Sequence, residues 1–275
     1  MTDQPSYAAV HDALRPEAAS FDIAAAPTRL DDLFADKEAA KASCEADAWA
    51  IDELQDRLYA EGQRSLLVVL QGMDTAGKGG TVKSVFAHTS PMGMEVTAFK
   101  APNTEELAHD YLWRIHKAVP RKGHIGIFDR SHYGDVLAVK VLGLQSEEEV
   151  EARYEDINAF ERYLCRTGTK VLKFFLHISK EEQKERLQAR LDKPHKRWKF
   201  SKADLDSRAL WDDYQRAYEL MVQRCSTEHA PWYVVPSDSK SRRNAAVARI
   251  VRQTLEEMNP KAPKVDWHPE DWVIS

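Results

Sequence analysis

A parallel α/β fold is what this chain of 275 residues predicts, on three observations. From Ser65 onward, short apolar runs alternate with helix-patterned stretches, the mark of repeated strand–helix units with helices on both faces of a parallel sheet. The first apolar run leads through a glycine-rich loop into a helical segment. A concentrated basic stretch follows the fourth apolar run, where a helical lid would close over one end of the sheet. With 43% hydrophobic and 30% charged residues, the chain can bury the core of one large domain or two small ones.

Residues 1–30 are rich in Ala, Asp and Pro with weak periodicity. They read as an N-terminal arm that wraps the domain or a neighbouring subunit, or is partly disordered. From about Asp36 to Gln63, Ala48, Ile51, Leu54, Leu58 and Tyr59 recur at helical steps. SLLVVLQ, Ser65–Gln71, is continuously apolar, as a strand buried on both faces must be. Then follow a helix from Lys78 to about His88, a strand Met94–Phe99, and a helix from about Asn103 to Lys117 capped by Asn103 or Thr104. A strand His124–Phe128, a helix Glu147–Arg166 and a strand Lys170–Ile178 come next. Ser179 caps a helix toward Leu191, which Pro194 stops, and Asp204–Arg224 forms another. A short strand Trp232–Val235 and a helix Arg242–Met258 complete the domain. The tail, residues 259–275, carries three prolines and two tryptophans and reads as an irregular strap.

Composition excludes several classes of protein. The longest aliphatic run, Leu66–Leu70, has five residues, whereas a membrane-spanning helix needs about 20. The first 20 residues lack the apolar segment of a secretory signal. Cys44, Cys165 and Cys225 stand alone and far apart, which excludes a CxxC zinc site, argues against a disulfide framework and favours the cytoplasm. A net charge of −5 speaks against a nucleic-acid coat, so a polyanionic partner must be met by a local patch.

The chemistry concentrates in three places. GMDTAGKGG, Gly72–Gly80, fits G-x-x-x-x-G-K, with Gly79 where Ser or Thr is usual. In such a loop the N–H groups around Gly77, Gly79 and Gly80 surround phosphate oxygens at a helix N-terminus, and Lys78 adds a mobile charge. The hydroxyl that normally holds Mg²⁺ is missing, which leaves Thr81 and Asp74 as candidates. An acid inside a phosphate loop is costly without a positive neighbour, so Asp74 reads as a metal ligand or acid/base group. Asp129 follows the third strand, where a second Mg²⁺-holding acid belongs, and Arg130 beside it can reach a phosphoryl group bidentately. The third place is Arg186–Lys202, with seven Lys or Arg against one acid, Asp192. Arg186 and Arg190 share a helix face, and Trp198 and Phe200 are apolar anchors for the flap. Lys100 and Arg114 extend the positive track. His116, His124, His132 and His195 show no metal-ligand spacing, and Trp211 and Tyr214 read as core.

Together with FKAPNTEELAHDYLWRIHKA (Phe99–Ala118), KFFLHISKEEQ (Lys173–Gln183) and STEHAPWYVVP (Ser226–Pro236), the stretches GMDTAGKGG, IFDRSHYGDVL and RLDKPHKRWKF resemble the polyphosphate kinase type 2 family. The resemblance runs from about Leu30 to Met258. It implies an α/β, three-layer P-loop kinase fold over residues 31–258 with a lid at about 186–203. It implies reversible phosphoryl transfer between inorganic polyphosphate and nucleoside mono- or diphosphates (ADP to ATP, AMP to ADP), with Mg²⁺ or Mn²⁺, in a homo-oligomer. By position, Asp74 is the loop acid, Lys78 its lysine, Asp129 and Arg130 the second acid and its arginine, and Arg186 and Arg190 the lid arginines. Asp135 would lie near the nucleotide, and Gly77, Gly79, Gly80, Thr81 and Lys100 near phosphate. Relatives often carry Asn in place of Asp129 and an acid in place of Gly134, and the subgroup includes enzymes that accept both AMP and ADP. The attacking nucleotide phosphate is already an oxyanion, so direct in-line transfer without a phosphoenzyme is expected. Two other readings share these residues: an ATP-dependent P-loop kinase of a small molecule or nucleotide, and a nucleotide-dependent switch whose basic flap binds RNA, with Trp198 as its stacking residue.

Overall fold

Five strands form one all-parallel sheet in the order β2-β3-β1-β4-β5. They are β1 (Ser65–Gln71), β2 (Met94–Ala98), β3 (Ile125–Asp129), β4 (Thr169–His177) and β5 (Trp232–Pro236). The computed structural model describes residues 5–268 together with Glu270, Trp272 and Ile274. Every residue of β1 is buried, as a central parallel strand covered on both faces requires. The chain runs outward from β1 to β2, back to β3, then across β1 to β4. That reversal opens a crevice at the carboxyl ends of β1 and β3, where Leu70 and Asp129 lie in register.

Two groups of helices cover the sheet. One contains α1 (Tyr7–Leu14), α2 (Lys37–Glu61), α3 (Lys78–Val85) and α11 (Lys240–Met258), which contact one another. The other contains α6 (Gly134–Val141), α7 (Glu147–Arg166) and α10 (Trp211–Cys225). Asp36 caps α2 by accepting from the Ala39 N–H, and Gly62, at φ +63°, ends it in the left-handed conformation that glycine tolerates. Asp47, fully buried on α2, joins it to α11 through Arg249 at 2.8 Å and Arg252 at 3.0 Å. The N-terminal stretch lies on the same domain: Val10 and Leu14 of α1, then Phe21, Ile23 and Leu30, are buried in the common core.

Local polar bonds divide two helices that the sequence pattern reads as continuous. Between Asn103 and Lys117 the chain forms α4 (Thr104–Leu107) and α5 (Trp113–Ala118). An Asn103–Glu106 capping box starts α4, and the Asp110 carboxylate then takes the Leu112 N–H at 3.0 Å, which favours a turn over helix. After α8 (Lys180–Asp192) and a 3-10 turn, Pro194–Lys199, the next helix breaks at Leu210 into α9 (Lys202–Ala209) and α10. Leu210 sits at φ −96°, ψ 29°, and Trp211 beyond it is anchored in the core. The short α6 carries no separate signal in the sequence.

Beneath the β3–α6 connection lies a fully buried polar cluster. Lys173, in the middle of β4, pairs with Glu161 of α7 at 2.5 Å and donates to the Tyr133 hydroxyl and the Cys225 carbonyl, each at 2.7 Å. Tyr133 Oη donates to Glu161 at 2.8 Å, and His132 Nε2 lies 3.2 Å from the same carboxylate. Burial alone would push the Glu161 carboxyl up, but Lys173 and His132 hold it below its ordinary value. Removing one partner strands a buried charge, whereas replacing both need not. Lys173→Met should therefore cost about 3–5 kcal/mol by urea denaturation, and Lys173→Met combined with Glu161→Leu should recover more than half of that loss.

Candidate active site

The glycine-rich loop is built by three residues at positive φ. After β1, Gly72 (φ +150°), Thr75 (φ +66°) and Gly77 (φ +113°) bring the chain into α3. A Cβ on Gly72 would lie 2.6 Å from the Leu176 carbonyl oxygen, and one on Gly77 would collide with the Arg243 guanidinium. Gly79 and Gly80 are exposed on the first turn of α3. Lys78 Nζ curls back to the Gly72 carbonyl at 2.8 Å and the Met73 carbonyl at 3.5 Å. Burial, with the charges of Arg130 and Arg190 added, pushes the Lys78 amine down. An arriving phosphate would relieve this by supplying negative charge. Thr81 is buried; its hydroxyl donates to the Gly77 carbonyl at 3.2 Å and lies 3.3 Å from Asn244 Oδ1, so in this state it supports the loop from inside.

The two acids sit at adjacent strand ends. Asp74 Oδ1 accepts from Arg130 Nη2 at 2.8 Å, and the Asp74 carbonyl accepts from Gln183 Nε2 at 3.2 Å. Arg130 itself adopts φ +62°, and its side chain is half exposed. Strain of that kind persists where the surrounding structure fixes it, commonly at working sites. Asp129 closes β3, and its buried Oδ1 has no hydrogen-bond partner. Among the described residues no group of three or more metal-ligating side chains exists. Two carboxylates with an unsatisfied oxygen nevertheless suit a cation such as Mg²⁺, which takes one or two protein carboxylates and completes its shell with substrate phosphates and water.

The basic residues divide between floor, lid and edge. Arg186 uses all five of its donor positions: Nε to Glu182 at 2.7 Å, Nη1 to the Thr75 and Ala76 carbonyls at 3.0 and 3.2 Å, and Nη2 to the Ser237 and Asp238 carbonyls at 2.7 and 2.9 Å. Arg186, expected as a lid arginine, is buried under the loop in this structure, with its donors taken up by Glu182 and four carbonyls. Arg190 faces the lid, donating to the Lys199 carbonyl and the Asp204 carboxylate, each at 3.0 Å. Lys100 is exposed on a cleft of about 530 Å³ that Arg114 and Lys117 share. Asp135, on α6, lies 3.7 Å from Arg114 and 3.9 Å from Arg153; burial raises its carboxyl despite both arginines. Arg114 also donates to the Lys100 carbonyl at 2.8 Å, which ties Asp135 to that cleft.

Sequence reasoning missed three contributors. Arg243 of α11 is buried and donates to the Ala76 carbonyl at 2.8 Å; burial, then the Arg186 charge, pushes its guanidinium down to about 9. Gln183 holds the Asp74 carbonyl. Tyr214 packs against the core, as expected, and also helps line a small pocket of about 110 Å³ with Asp74, Arg130, Gly134, Ser207 and Tyr218. No spacing rule marks a residue on a distant helix that reaches a loop carbonyl. Among the described residues no helix is long and apolar enough to cross a membrane. Gly77→Ala should lower the melting temperature, because the new methyl meets the Arg243 guanidinium in a backbone conformation that L side chains rarely adopt.

Three comparisons bear on this arrangement. The sequence model of the Polyphosphate kinase 2 (PPK2) family matches residues 34–263. An AMP/ADP-polyphosphate phosphotransferase of Meiothermus ruber is 51% identical over 224 residues, covering 82% of this chain and 84% of the relative. An ADP-polyphosphate phosphotransferase of Rhodopseudomonas palustris is 38% identical over 260 residues, covering 90% of each. The crystal structure of a polyphosphate kinase 2 from Arthrobacter aurescens superposes with a TM-score of 0.92 at 44% identity, over 98% of this chain and 95% of the other.

Proposed function

The chain belongs to the polyphosphate kinase 2 family and is a polyphosphate:nucleotide phosphotransferase, and we propose that the Asp74–Arg130 pair beside Lys78 is where its phosphoryl group passes. One observation carries this assignment. A strained arginine, a loop acid and a buried lysine meet at the phosphate loop, 2.8 Å separating Arg130 from Asp74, with the unsatisfied Asp129 oxygen on the next strand.

Polyphosphate would lie against the N–H groups of the loop, Gly77, Gly79 and Gly80, its terminal phosphoryl near Lys78 Nζ. Lys78 would exchange the Gly72 carbonyl for a phosphate oxygen. Arg130, half exposed and held by one carboxylate, is free to turn onto the group in transit. Arg190 would follow when the lid closes, since its charge already reaches Lys78. Asp74 and Asp129 would hold a divalent metal, in our reading Mg²⁺ with Mn²⁺ as a substitute, which supplies charge neutralisation and orientation. Transfer is direct and in line, without a phosphoenzyme, and positioning with charge neutralisation provides the rate. Arg186 supports the loop in this scheme and does not touch the phosphoryl group. Lys100 and Arg114 extend the phosphate track, and Asp135 orients the nucleotide side through Arg114.

Both ADP and AMP are proposed as acceptors. The M. ruber relative is named for both, and Gly134 leaves the pocket wall open, with nothing within 4 Å of where a Cβ would stand. The homo-oligomeric state and the cytoplasmic site belong to the same proposal; the free thiols of Cys44, Cys165 and Cys225 suit a reducing compartment.

Purified protein with polyphosphate and Mg²⁺ should yield ATP from ADP, and ADP with ATP from AMP, by chromatographic product analysis. Lys78→Ala should yield neither. No product from either nucleotide, in folded protein that binds it, would sink the proposal in favour of an ATP-dependent kinase. Arg130→Ala should lower kcat by about 10³–10⁵ if it serves the transition state as other phosphoryl-transfer arginines do; a loss under about tenfold, roughly 1.4 kcal/mol, would remove it from that role.

A further inference from the structure

Gln183 of α8 is completely buried, and both ends of its carboxamide are engaged. Nε2 donates to the Asp74 carbonyl at 3.2 Å, and Oε1 accepts from Arg208 Nη1 at 2.9 Å. The partners fix the orientation: reversing the amide would set its NH₂ against a guanidinium and its oxygen against a carbonyl. Arg208 belongs to α9, the helix that follows the lid segment, and also donates to the Lys180 carbonyl at 2.6 Å. The second tie between α8 and α9 is the Arg190–Asp204 ion pair. Towards α10 the helix is joined at Leu210 and through Ser207, whose side chain bonds to Tyr214. A single buried side chain thus lies between α9 and the backbone of the loop acid.

We propose that Gln183 is a positioning residue for phosphoryl transfer, coupling the seating of α9, through Arg208, to the orientation of Asp74 and of the Arg130 paired with it. The proposal rests on the reading of Asp74 as a site acid. With α9 seated, Arg208 polarises the Gln183 carboxamide and strengthens its donation to the Asp74 carbonyl. With α9 displaced, the carboxamide loses its fixed partner and the Asp74 peptide its constraint. The loop acid is then in register only when α9 is in place, and transfer is favoured in that state.

The test compares Gln183→Ala, Gln183→Glu, Arg208→Ala, the Gln183→Ala/Arg208→Ala double variant and Asp74→Asn in the full-length chain, with polyphosphate and ADP. Gln183→Ala should lower kcat about tenfold or more while KM for ADP stays within about threefold, since a displacement of about 1 Å in a reacting site can cost 10²-fold. Gln183→Glu keeps the Arg208 partner but opposes the Asp74 carbonyl with a carboxylate, and should fall as far. Arg208→Ala should show the same kcat-selective loss. The double variant should lie within about twofold of the worse single one, as expected for residues acting as one unit. Additive losses, or an unchanged kcat in either folded single alanine variant, overturn the proposal. If Gln183→Ala does not fold, the half-buried Arg208→Ala decides alone. Full activity in Asp74→Asn would instead overturn the reading of Asp74 itself, whereas an inactive Asp74→Asn beside an unimpaired Gln183→Ala overturns only the coupling.

Discussion

Two buried guanidinium groups beneath one peptide carbonyl hold this site together. Arg186 and Arg243 approach the Ala76 oxygen from α8 and α11, at 3.2 and 2.8 Å; Arg186 has the Glu182 carboxylate on its Nε at 2.7 Å, whereas Arg243 donates to the Ala76 carbonyl and the Asn244 amide oxygen. Burying positive charge without a matching acid is unfavourable, and the depressed value at Arg243 reflects it. The consequence is a loop whose underside is positively charged and whose carbonyls are all turned inward, so that its N–H groups are left to face an anion. Lys78, likewise folded onto loop carbonyls, adds a third cation to the same small volume. The anion that enters such a site is met by charge already in place, with little reorganisation at the moment of reaction.

The acids are positioned by the sheet, and the lid by the helices. Asp129 is fixed because β3 pairs with β1, whose end starts the phosphate loop. The turn after Asp129 is pinned from below, His132 and Tyr133 being bonded to the Glu161–Lys173 pair while Ser131 takes the Gln71 amide at 3.1 Å. Both acidic loops therefore share one rigid base. The lid with α9, by contrast, is joined to the domain through a few polar contacts and a break at Leu210. The acids and the lid are thus held by different sets of contacts.

What the sequence disclosed, and what it concealed, follows from the range of the interactions. β1 was legible because five consecutive aliphatic residues have no other stable use, and the loop because G-x-x-x-x-G-K imposes local backbone geometry. Asp129 and Arg130 were legible from their place after a strand. The breaks at Asp110 and Leu210 were not, since helical periodicity continues across both and single side-chain bonds decide the outcome. The spacing of Arg186 from Arg190 shows a shared helix face, not which side of a loop that face meets. Arg243 and Gln183 lie 167 and 109 residues from the carbonyls they hold, and no local pattern records such a contact.

The partners of Arg186 have a further consequence. Four of its five bonds go to backbone oxygens, at Thr75, Ala76, Ser237 and Asp238. A carbonyl is supplied by any amino acid, so the identities of those four neighbours are left free by the contact that fixes their shape. What constrains those four residues comes from elsewhere: Ala76 and Ser237 are buried, and Asp238 accepts from the Ser179 N–H at 2.9 Å.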